Sequence, residues 1–190
     1  MALSEQDTDE QLLLAMAGGE MEAMSAFYRR HETRLYRYLM AKLNDSFVAA
    51  DLLNEVMLEV WRSAARFAGR SKVTTWMFGI AHNKVLTHWR KLGVREFIEV
   101  DDTLADETPT ADLEQALSAV KDAERVRAGM QTLSPPHREV LHLVFFEELD
   151  YAEIGRILSV PEGTVKSRVY HAKNLLKKQL ARAMRSSRKT

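Results

Sequence analysis

Basic side chains near the end of the chain recur at the spacing of one helix face. The stripe consists of Lys166, Tyr170, Lys173 and Lys177, at intervals of four, three and four residues. Side chains that can form hydrogen bonds flank it: Thr164, Ser167, Arg168 and His171. Ammonium groups neutralise phosphates, and arginine, lysine and serine bond to base edges. The pattern predicts a DNA-binding helix; an amphipathic helix with a solvated polar face is the alternative.

The residues before this stripe have the pattern of a helix-turn-helix. Asp150 and Glu153 predict a capping box for a helix that ends near Leu158, and Pro161 suits the start of the next helix. The small residue Gly155 predicts a close approach of the two helices. Apolar contacts between them are expected from Leu149, Ile154, Ile157, Val160, Val165 and Val169. The inward face of the second helix is predicted to be Val165, Val169, Ala172 and Leu176.

The position of each basic residue on the second helix predicts its role. In a helix-turn-helix, the N-terminal part of that helix reaches base edges in the major groove. We therefore expect Lys166, Ser167 and Arg168 to read bases. The later lysines, Lys173 among them, are expected to contact phosphates.

A second basic zone lies between Val60 and Arg95, where no carboxylate occurs. Its bases are Arg62, Arg66, Arg70, Lys72, Lys84, Arg90, Lys91 and Arg95. The formal net charge of the chain is nonetheless zero, because acids collect at 1–59 and 96–124. Two basic zones separated by acidic ones are what polyanion binding needs, although solvated faces would give the same pattern.

Composition narrows the class of protein. The chain has 190 residues, of which 46% are hydrophobic, enough for one or two domains with an aliphatic core. It has no cysteine, which excludes disulfides and thiolate metal sites. We expect a cytoplasmic protein, because no apolar run approaches twenty residues and no secretory signal is present. The six histidines lack metal-site spacing and there is no Gly-rich phosphate loop, so we expect neither an enzyme nor a cofactor.

The periodicity predicts an all-α fold of two small helical domains joined by an acidic, flexible linker. The expected boundaries are 1–94, 95–111 for the linker, and 112–190. In the first domain, helices are predicted over 7–17, 20–43, 47–67 and 73–92. In the second, they are predicted over 111–133 and 137–147, with Ser134 as N-cap, followed by the helix-turn-helix.

Motifs in both halves resemble one family. The segment "LSPPHREVLHLVFFEELDYAEIGRILSVPEGTVKSRVYHAKNLLKKQL" resembles region 4 of sigma-70-type factors of the small extracytoplasmic-function (ECF) group. Similar helices also occur in LuxR-type activators. The segments "DLLNEVMLEVWR" and "TTWMFGIAHNKVLTHWRK" resemble region 2 of the same family. The resemblance covers about residues 10–94 and 112–182.

The resemblance implies a promoter-recognition subunit. Region 2, at 1–94, would bind core RNA polymerase and melt the minus-ten element, and region 4 would read the minus-thirty-five element. The stripe formed by Asp51, Asn54, Glu55, Leu58 and Glu59 is acidic and apolar, and in the family it docks on the clamp coiled coil of the large polymerase subunit. A solvated stripe is the alternative. The flap of the same subunit, promoter DNA and an anti-sigma factor are the other implied partners.

The resemblance also places the minus-ten contacts. A loop at about Phe67 to Thr75 would accept a flipped base, a step that requires unstacking. The implied contacts are Arg70, Lys72, Thr75, Asn83, Arg90 and Lys91. Asn83 offers both donor and acceptor groups for a base edge. Trp76, Ile80 and Trp61 are expected in the core instead.

Two departures from the family pattern stand out. Val48, Ala49, Ala50 and Asp51 replace a denser acidic run, so polymerase binding would be weaker or compensated by Glu55 and Glu59. Phosphorylation nearby is one hypothesis for restoring the charge, at Ser46, Ser63, Ser71, Thr74 or Thr75. In "KVTTW", Val73 and Thr74 make the pocket rim less basic.

Other functions remain open on the residues alone. A DNA-binding activator with a sensing domain would bind duplex DNA without polymerase, and a helical adaptor would bind protein only. For a sigma factor, the acidic linker is expected to run through the polymerase cleft. Its carboxylates are Asp101, Asp102, Asp106 and Glu107.

Overall fold

A computed structural model describes residues 7–93 and 123–187 of the chain, with side chains over 7–93 and 126–182. The described residues form helices joined by short turns and loops. A boundary at Gly93–Val94 separates two compact units, apart from Arg156–Ser159, which is assigned to the first. The predicted linker at 95–111, with its four carboxylates, lies outside the described residues.

The first unit is built from helices of unequal length. They are α1 (Asp9–Ala17), α2 (Met21–Leu43), α3 (Ser46–Ser63), a 3-10 turn (Ala64–Arg66) and α4 (Val73–Lys91). The single helix predicted over 47–67 therefore ends at Ser63, and its last residues form the 3-10 turn and the start of the following loop. Asp45 caps α3 by accepting hydrogen bonds from the backbone nitrogens of Phe47 (2.9 Å) and Val48 (3.1 Å).

The core of the first unit is aliphatic and aromatic. Its fully buried side chains from the three longer helices include Phe27, Leu35, Tyr38, Leu39, Val56, Met57, Val60, Met77, Phe78 and Val85. The rings of Tyr38 and Phe78 meet edge to face, with centroids 5.1 Å apart. These contacts hold α2 against α4, and thereby fix the face that α4 turns to solvent.

The prediction that Trp61, Trp76 and Ile80 lie in the core is wrong. Trp61, Trp76 and Ile80 are each only partly buried, whereas Trp89 is the buried tryptophan of α4. The reason is helical phase. Trp89 shares a face with the buried Phe78, while Trp76 and Ile80 lie on the opposite side of α4. Trp76 packs instead against Phe67, with ring centroids 5.1 Å apart.

The second unit contains the predicted helix-turn-helix. Its helices are α5 (Ala123–Gln131), α6 (Pro135–Phe145), α7 (Tyr151–Leu158) and α8 (Glu162–Ser187). Ser134 precedes α6 with its two prolines in the first turn, so this helix begins two residues before the predicted His137. Pro161 stands just outside α8, where its carbonyl accepts from the nitrogen of Val165 at 3.2 Å.

The capping box and the close approach are confirmed. The nitrogen of Glu153 donates to Asp150 Oδ1 at 2.7 Å, and the nitrogen of Asp150 donates to Glu153 Oε2 at 3.3 Å. A Cβ at Gly155 would lie 2.8 Å from the carbonyl oxygen of Val160, so only glycine fits there without a shift. The predicted inward face of α8 is buried throughout: Val165, Val169, Ala172 and Leu176.

Candidate nucleic-acid and protein interfaces

The predicted docking stripe lies along the exposed side of α3. Asp51, Asn54, Glu55 and Leu58 are exposed, and Glu59 is half-buried. Tyr28 of α2 donates its hydroxyl to Asn54 Oδ1 at 3.3 Å. The stripe is thus on one helix as predicted, and Asn54 has a partner that the sequence did not indicate.

Two acidic residues of the stripe lie close to basic residues of the same unit. Lys84 Nζ of α4 lies 3.4 Å from Glu55 Oε2, and Arg66 Nη2 lies 3.9 Å from Glu59 Oε1. Both pairs are partly exposed, so each contributes only about 0–1 kcal/mol to stability. Their main effect is to lower the negative charge that these two positions offer to a partner.

An open groove of about 400 Å³ is lined by side chains of α3 and α4. Leu52 and Ile80 give it apolar sides, while Glu55 and Asn83 stand on opposite walls. A predicted polymerase contact and a predicted minus-ten contact therefore share one groove. Sequence reasoning did not name Thr87 and His88, which also line it. The signal was present, because Asn83, Thr87 and Lys91 recur at intervals of four.

Most of the predicted minus-ten residues are exposed. They are Arg70, Lys72, Asn83, Arg90 and Lys91. Arg70 and Lys72 precede α4, and Arg90 and Lys91 end it, so these basic residues lie at the two ends of this helix. Thr75 is the exception, because only 3% of its surface is open. The expectation that Thr75 faces a base is wrong for this conformation, since it lies on the buried side of α4.

The predicted base readers lie on the first turns of α8. Lys166 is exposed and its Nζ is 3.5 Å from Glu162 Oε1, one helical turn earlier. Half-buried side chains complete the set: Thr164, Ser167, Arg168, Tyr170 and His171. Ser167 Oγ and His171 Nε2 are buried and lack a hydrogen-bond partner among the described residues.

Lys173 departs from the stripe predicted for α8. Only 8% of its surface is open, and its ammonium lies over the ring of Phe145 of α6, 5.3 Å from the centroid. Lys177, four residues later, is exposed. The prediction of an exposed Lys173 is wrong because this residue borders the buried face, where its long stem packs against α6.

Charged groups also position the start of the first unit. Asp9 Oδ1 of α1 is 2.8 Å from Arg30 Nη1 and 3.0 Å from His31 Nε2, both on α2. Burial raises the pKa of Asp9, but the hydrogen bonds and charges of His31 and Arg30 outweigh it and hold that pKa below its usual 3.8. Asp9 therefore fixes α1 to α2 as a carboxylate.

Over 7–93 and 123–187, every helix is too short or too polar to cross a membrane. Over the same residues, histidine and carboxylate side chains do not gather in groups that could hold a metal ion.

Family models match both units. A model of sigma-70 region 2 matches residues 27–95, which include α3, α4 and the groove between them. A model of sigma-70 region 4 matches residues 123–176, which include the helix-turn-helix. The two models occur in the order in which the family has these regions.

Curated relatives align along nearly all of the chain. The RNA polymerase sigma-H factor of Pseudomonas aeruginosa is 27% identical over 194 residues, covering 96% of this chain and 98% of its own. The ECF RNA polymerase sigma factor SigK of Mycobacterium tuberculosis is 28% identical, covering 85% and 87%. The RNA polymerase sigma factor YlaC of Bacillus subtilis is 27% identical, covering 88% and 97%.

Solved structures share the fold. The sigma factor RpoE in complex with the anti-sigma factor NepR, from Bartonella quintana, gives a TM-score of 0.61 at 23% identity, covering 82% of this chain and 96% of that one. The structure of CnrH with the cytosolic domain of CnrY gives a TM-score of 0.64 at 20% identity, covering 92% and 98%.

Proposed function

The chain belongs to the sigma-70 family of RNA polymerase sigma factors, in its ECF group, and we propose that its two units hold the two promoter elements while core polymerase performs the chemistry. It is a transcription initiation factor. The observation that carries this conclusion is the match of two separate family models, in order, to two units whose exposed helices carry bases. The compartment for this function is the cytoplasm, where a bacterium keeps its chromosome and polymerase.

We assign region 2 to residues 1–94. The exposed stripe of α3 supports docking on core polymerase, and the bases at the ends of α4 support binding of the minus-ten strand. Asn83 stands between them on the groove wall, where its amide can donate to a base and accept from it. Thr75 would contact DNA only after leaving its buried position. Lack of carboxylates from Val60 to Arg95 favours a nearby phosphate backbone.

We assign region 4 to residues 112–190 and the acidic linker to 95–111. Lys166, Ser167 and Arg168 on the first turns of α8 are the proposed readers of the minus-thirty-five element, with Thr164, Tyr170 and His171 beside them. Lys177, exposed two turns later, is the proposed phosphate contact. The buried Lys173 is the weakest member of the predicted set, because DNA would have to draw its ammonium away from Phe145.

An anti-sigma factor is a proposed partner. The two solved structures described above, RpoE and CnrH, are complexes, with NepR and with the cytosolic domain of CnrY. Among the hydroxyls proposed as phosphorylation sites, Ser46 is exposed, at the start of α3. Ser63 and Thr75 are buried, so modification at those two positions would require local opening.

Run-off transcription with purified core polymerase tests the function. Transcripts that begin at a defined promoter, and that need this protein, are the expected result. A shifted duplex without polymerase, and no transcript, would instead favour an independent DNA-binding activator. Absence of both would favour a protein-binding adaptor.

The division of labour on α8 has its own test. Lys166→Ala should weaken holoenzyme binding by about 1–3 kcal/mol and relax specificity at one base pair, if this side chain reads a base. Lys177→Ala should weaken binding to all sequences alike and lower the salt slope by about one. Competition binding with a set of minus-thirty-five variants, over a range of salt concentrations, separates the two effects. Identical behaviour of both variants would contradict the assignment.

A further inference from the structure

Phe47 at the start of α3 is an exposed aromatic on a fixed backbone. It is 85% open to solvent, more than any other large hydrophobic side chain among the described residues. The Asp45 cap binds the backbone nitrogen of Phe47 itself, so this first turn is held in helical form. Covering an exposed aromatic ring with a partner surface lowers the free energy of the complex.

The helical phase places Phe47 on the docking face. At about 100° per residue, Phe47, Asp51, Asn54 and Leu58 lie within roughly 60° of one another on α3. Phe47 and Leu58, the latter 45% exposed, mark the two ends of this face. Over eleven residues they are about 16 Å apart, the length of a typical helix–helix contact.

The charge of this face is low. Positions 48–50, between Phe47 and Asp51, carry no acid. Glu55 and Glu59 lie further round the helix, and Lys84 and Arg66 stand within ion-pair distance of them. Asp51 is therefore the one acid of the predicted docking set that is exposed without an ion pair among the described residues.

We propose that Phe47 is the main anchor by which α3 docks on core polymerase, and that this docking depends on apolar burial more than on charge. The inference rests on the proposed function and concerns the same surface. The partner surface would be a helical one with an apolar pocket for the ring and a base opposite Asp51. Binding energy at interfaces concentrates in aromatic side chains that enter such pockets. Because few charges take part, the affinity should depend only weakly on salt.

Affinity for core polymerase tests the proposal. The full chain, labelled at its N-terminus, is titrated with core polymerase and followed by fluorescence anisotropy from 0.1 to about 0.5 M salt, where screening lengths shorten from ~10 Å to a few ångströms. Phe47→Ala should raise the Kd on the order of tenfold to a hundredfold. Phe47→Leu should retain part of the affinity.

The matched control is Leu14→Ala. Leu14 is 76% exposed on α1, a different helix from the one that carries the docking face, so its loss should change the Kd less than about twofold. Because both parent side chains are exposed, neither variant should lose its fold, which circular dichroism verifies. Asp51→Asn should cost less than Phe47→Ala at every salt concentration.

The outcomes separate the anchor from the function. A parent protein that binds core polymerase, with Phe47→Ala binding equally well, would overturn the anchor and leave the sigma function intact. A parent protein that does not bind would overturn the proposed function itself. A steep salt dependence with a small effect of Phe47→Ala would mean that charge dominates docking.

Discussion

Among the described residues, each unit buries one lysine over aromatic rings, but the two lysines lie on different kinds of helix. In the first unit, Lys42 of α2 is 5.2 Å from the ring centroid of Trp89 and 3.0 Å from His82 Nδ1. In the second unit, Lys173 lies over Phe145, and it belongs to α8, the proposed DNA-reading helix. The first unit thus keeps its buried ammonium off the proposed DNA-binding helix α4, whose terminal bases are exposed.

The difference shows that a basic zone in a sequence is not uniformly available to DNA. On α4, Arg90 and Lys91 are exposed, and only Lys84 near the middle faces a carboxylate. On α8, one lysine of the stripe takes part in packing and another is paired with Glu162. A count of basic residues in the sequence would therefore overestimate the phosphate contacts of α8 more than those of α4.

The largest expected effect concerns how tightly the proposed DNA-binding helix of each unit is packed. Gly155→Ala should destabilise the second unit by about 1–3 kcal/mol, because the new Cβ would lie 2.8 Å from the Val160 carbonyl oxygen. Gly79→Ala on α4 should instead be neutral or stabilise the first unit by up to about 1 kcal/mol, since its Cβ would meet open space. Urea unfolding of each variant measures both values.

A control within the second unit is Gly163→Ala on α8, where a Cβ also meets open space. It should not reproduce the loss seen at Gly155. Equal destabilisation by both substitutions would mean that the second unit tolerates no added methyl group near α8. The close approach at Gly155 would then have no special role.

The next effect compares the two buried lysines directly. Lys42→Met should destabilise the first unit by about 1–3 kcal/mol, because buried His82 Nδ1 loses its 3.0 Å partner. Lys173→Met should cost the second unit less, about 0.5–2 kcal/mol, since methionine retains most of the packed stem while the cation–π contact with Phe145 is lost. Thermal unfolding followed by circular dichroism gives both differences.

DNA binding adds a second readout for Lys173. If its ammonium stays over Phe145, Lys173→Met should leave the salt slope of holoenzyme binding unchanged. A slope lowered by about one would show that DNA draws Lys173 out of the core. The phosphate contact expected from the sequence would then be correct.

The apolar half of α8 was predictable and its basic half was only partly so. Val165, Val169, Ala172 and Leu176 follow the helical period, and burying such a stripe is the dominant energy available to a helix. Lys173 borders that stripe, and its burial depends on Phe145 of another helix. Periodicity along one helix carries no information on which neighbour covers its edge.

The same limit explains the errors in the first unit. The sequence predicts α4 well, with the helix beginning at Val73 as expected. It does not give the rotation of α4 in the unit. That rotation, to which the contact between Tyr38 and Phe78 contributes, buries Thr75 and leaves Trp76 only partly buried. The pairing of Glu55 with Lys84 joins two helices and could not be inferred from spacing on either.

The smallest expected effect tests whether a carboxylate pair adds stability to the first unit alone. Asp9 joins α1 to Arg30 and His31 of α2, and its pKa is held below 3.8 in the folded state. A lowered folded pKa means that the stabilisation is complete above the unfolded pKa and is lost as the pH falls through the folded one. Asp9→Asn should therefore lower the free energy of unfolding of the first unit at pH 5, by less than about 1 kcal/mol because the pair is partly exposed.

That difference between parent and Asp9→Asn should shrink as the pH falls below about 4, because the unfolded parent then gains a proton at Asp9 more readily than the folded one. Urea unfolding at pH 5, 4 and 3 measures it, with the second unit's transition as an internal control that should not differ between the two proteins. Asp9→Asn acting equally at pH 5 and pH 3 would assign the effect to the shape of the side chain and not to its charge. A shift of the second unit's transition by the same substitution would mean that the units do not unfold independently, and the comparison of their two lysines would then need to be made on separated units.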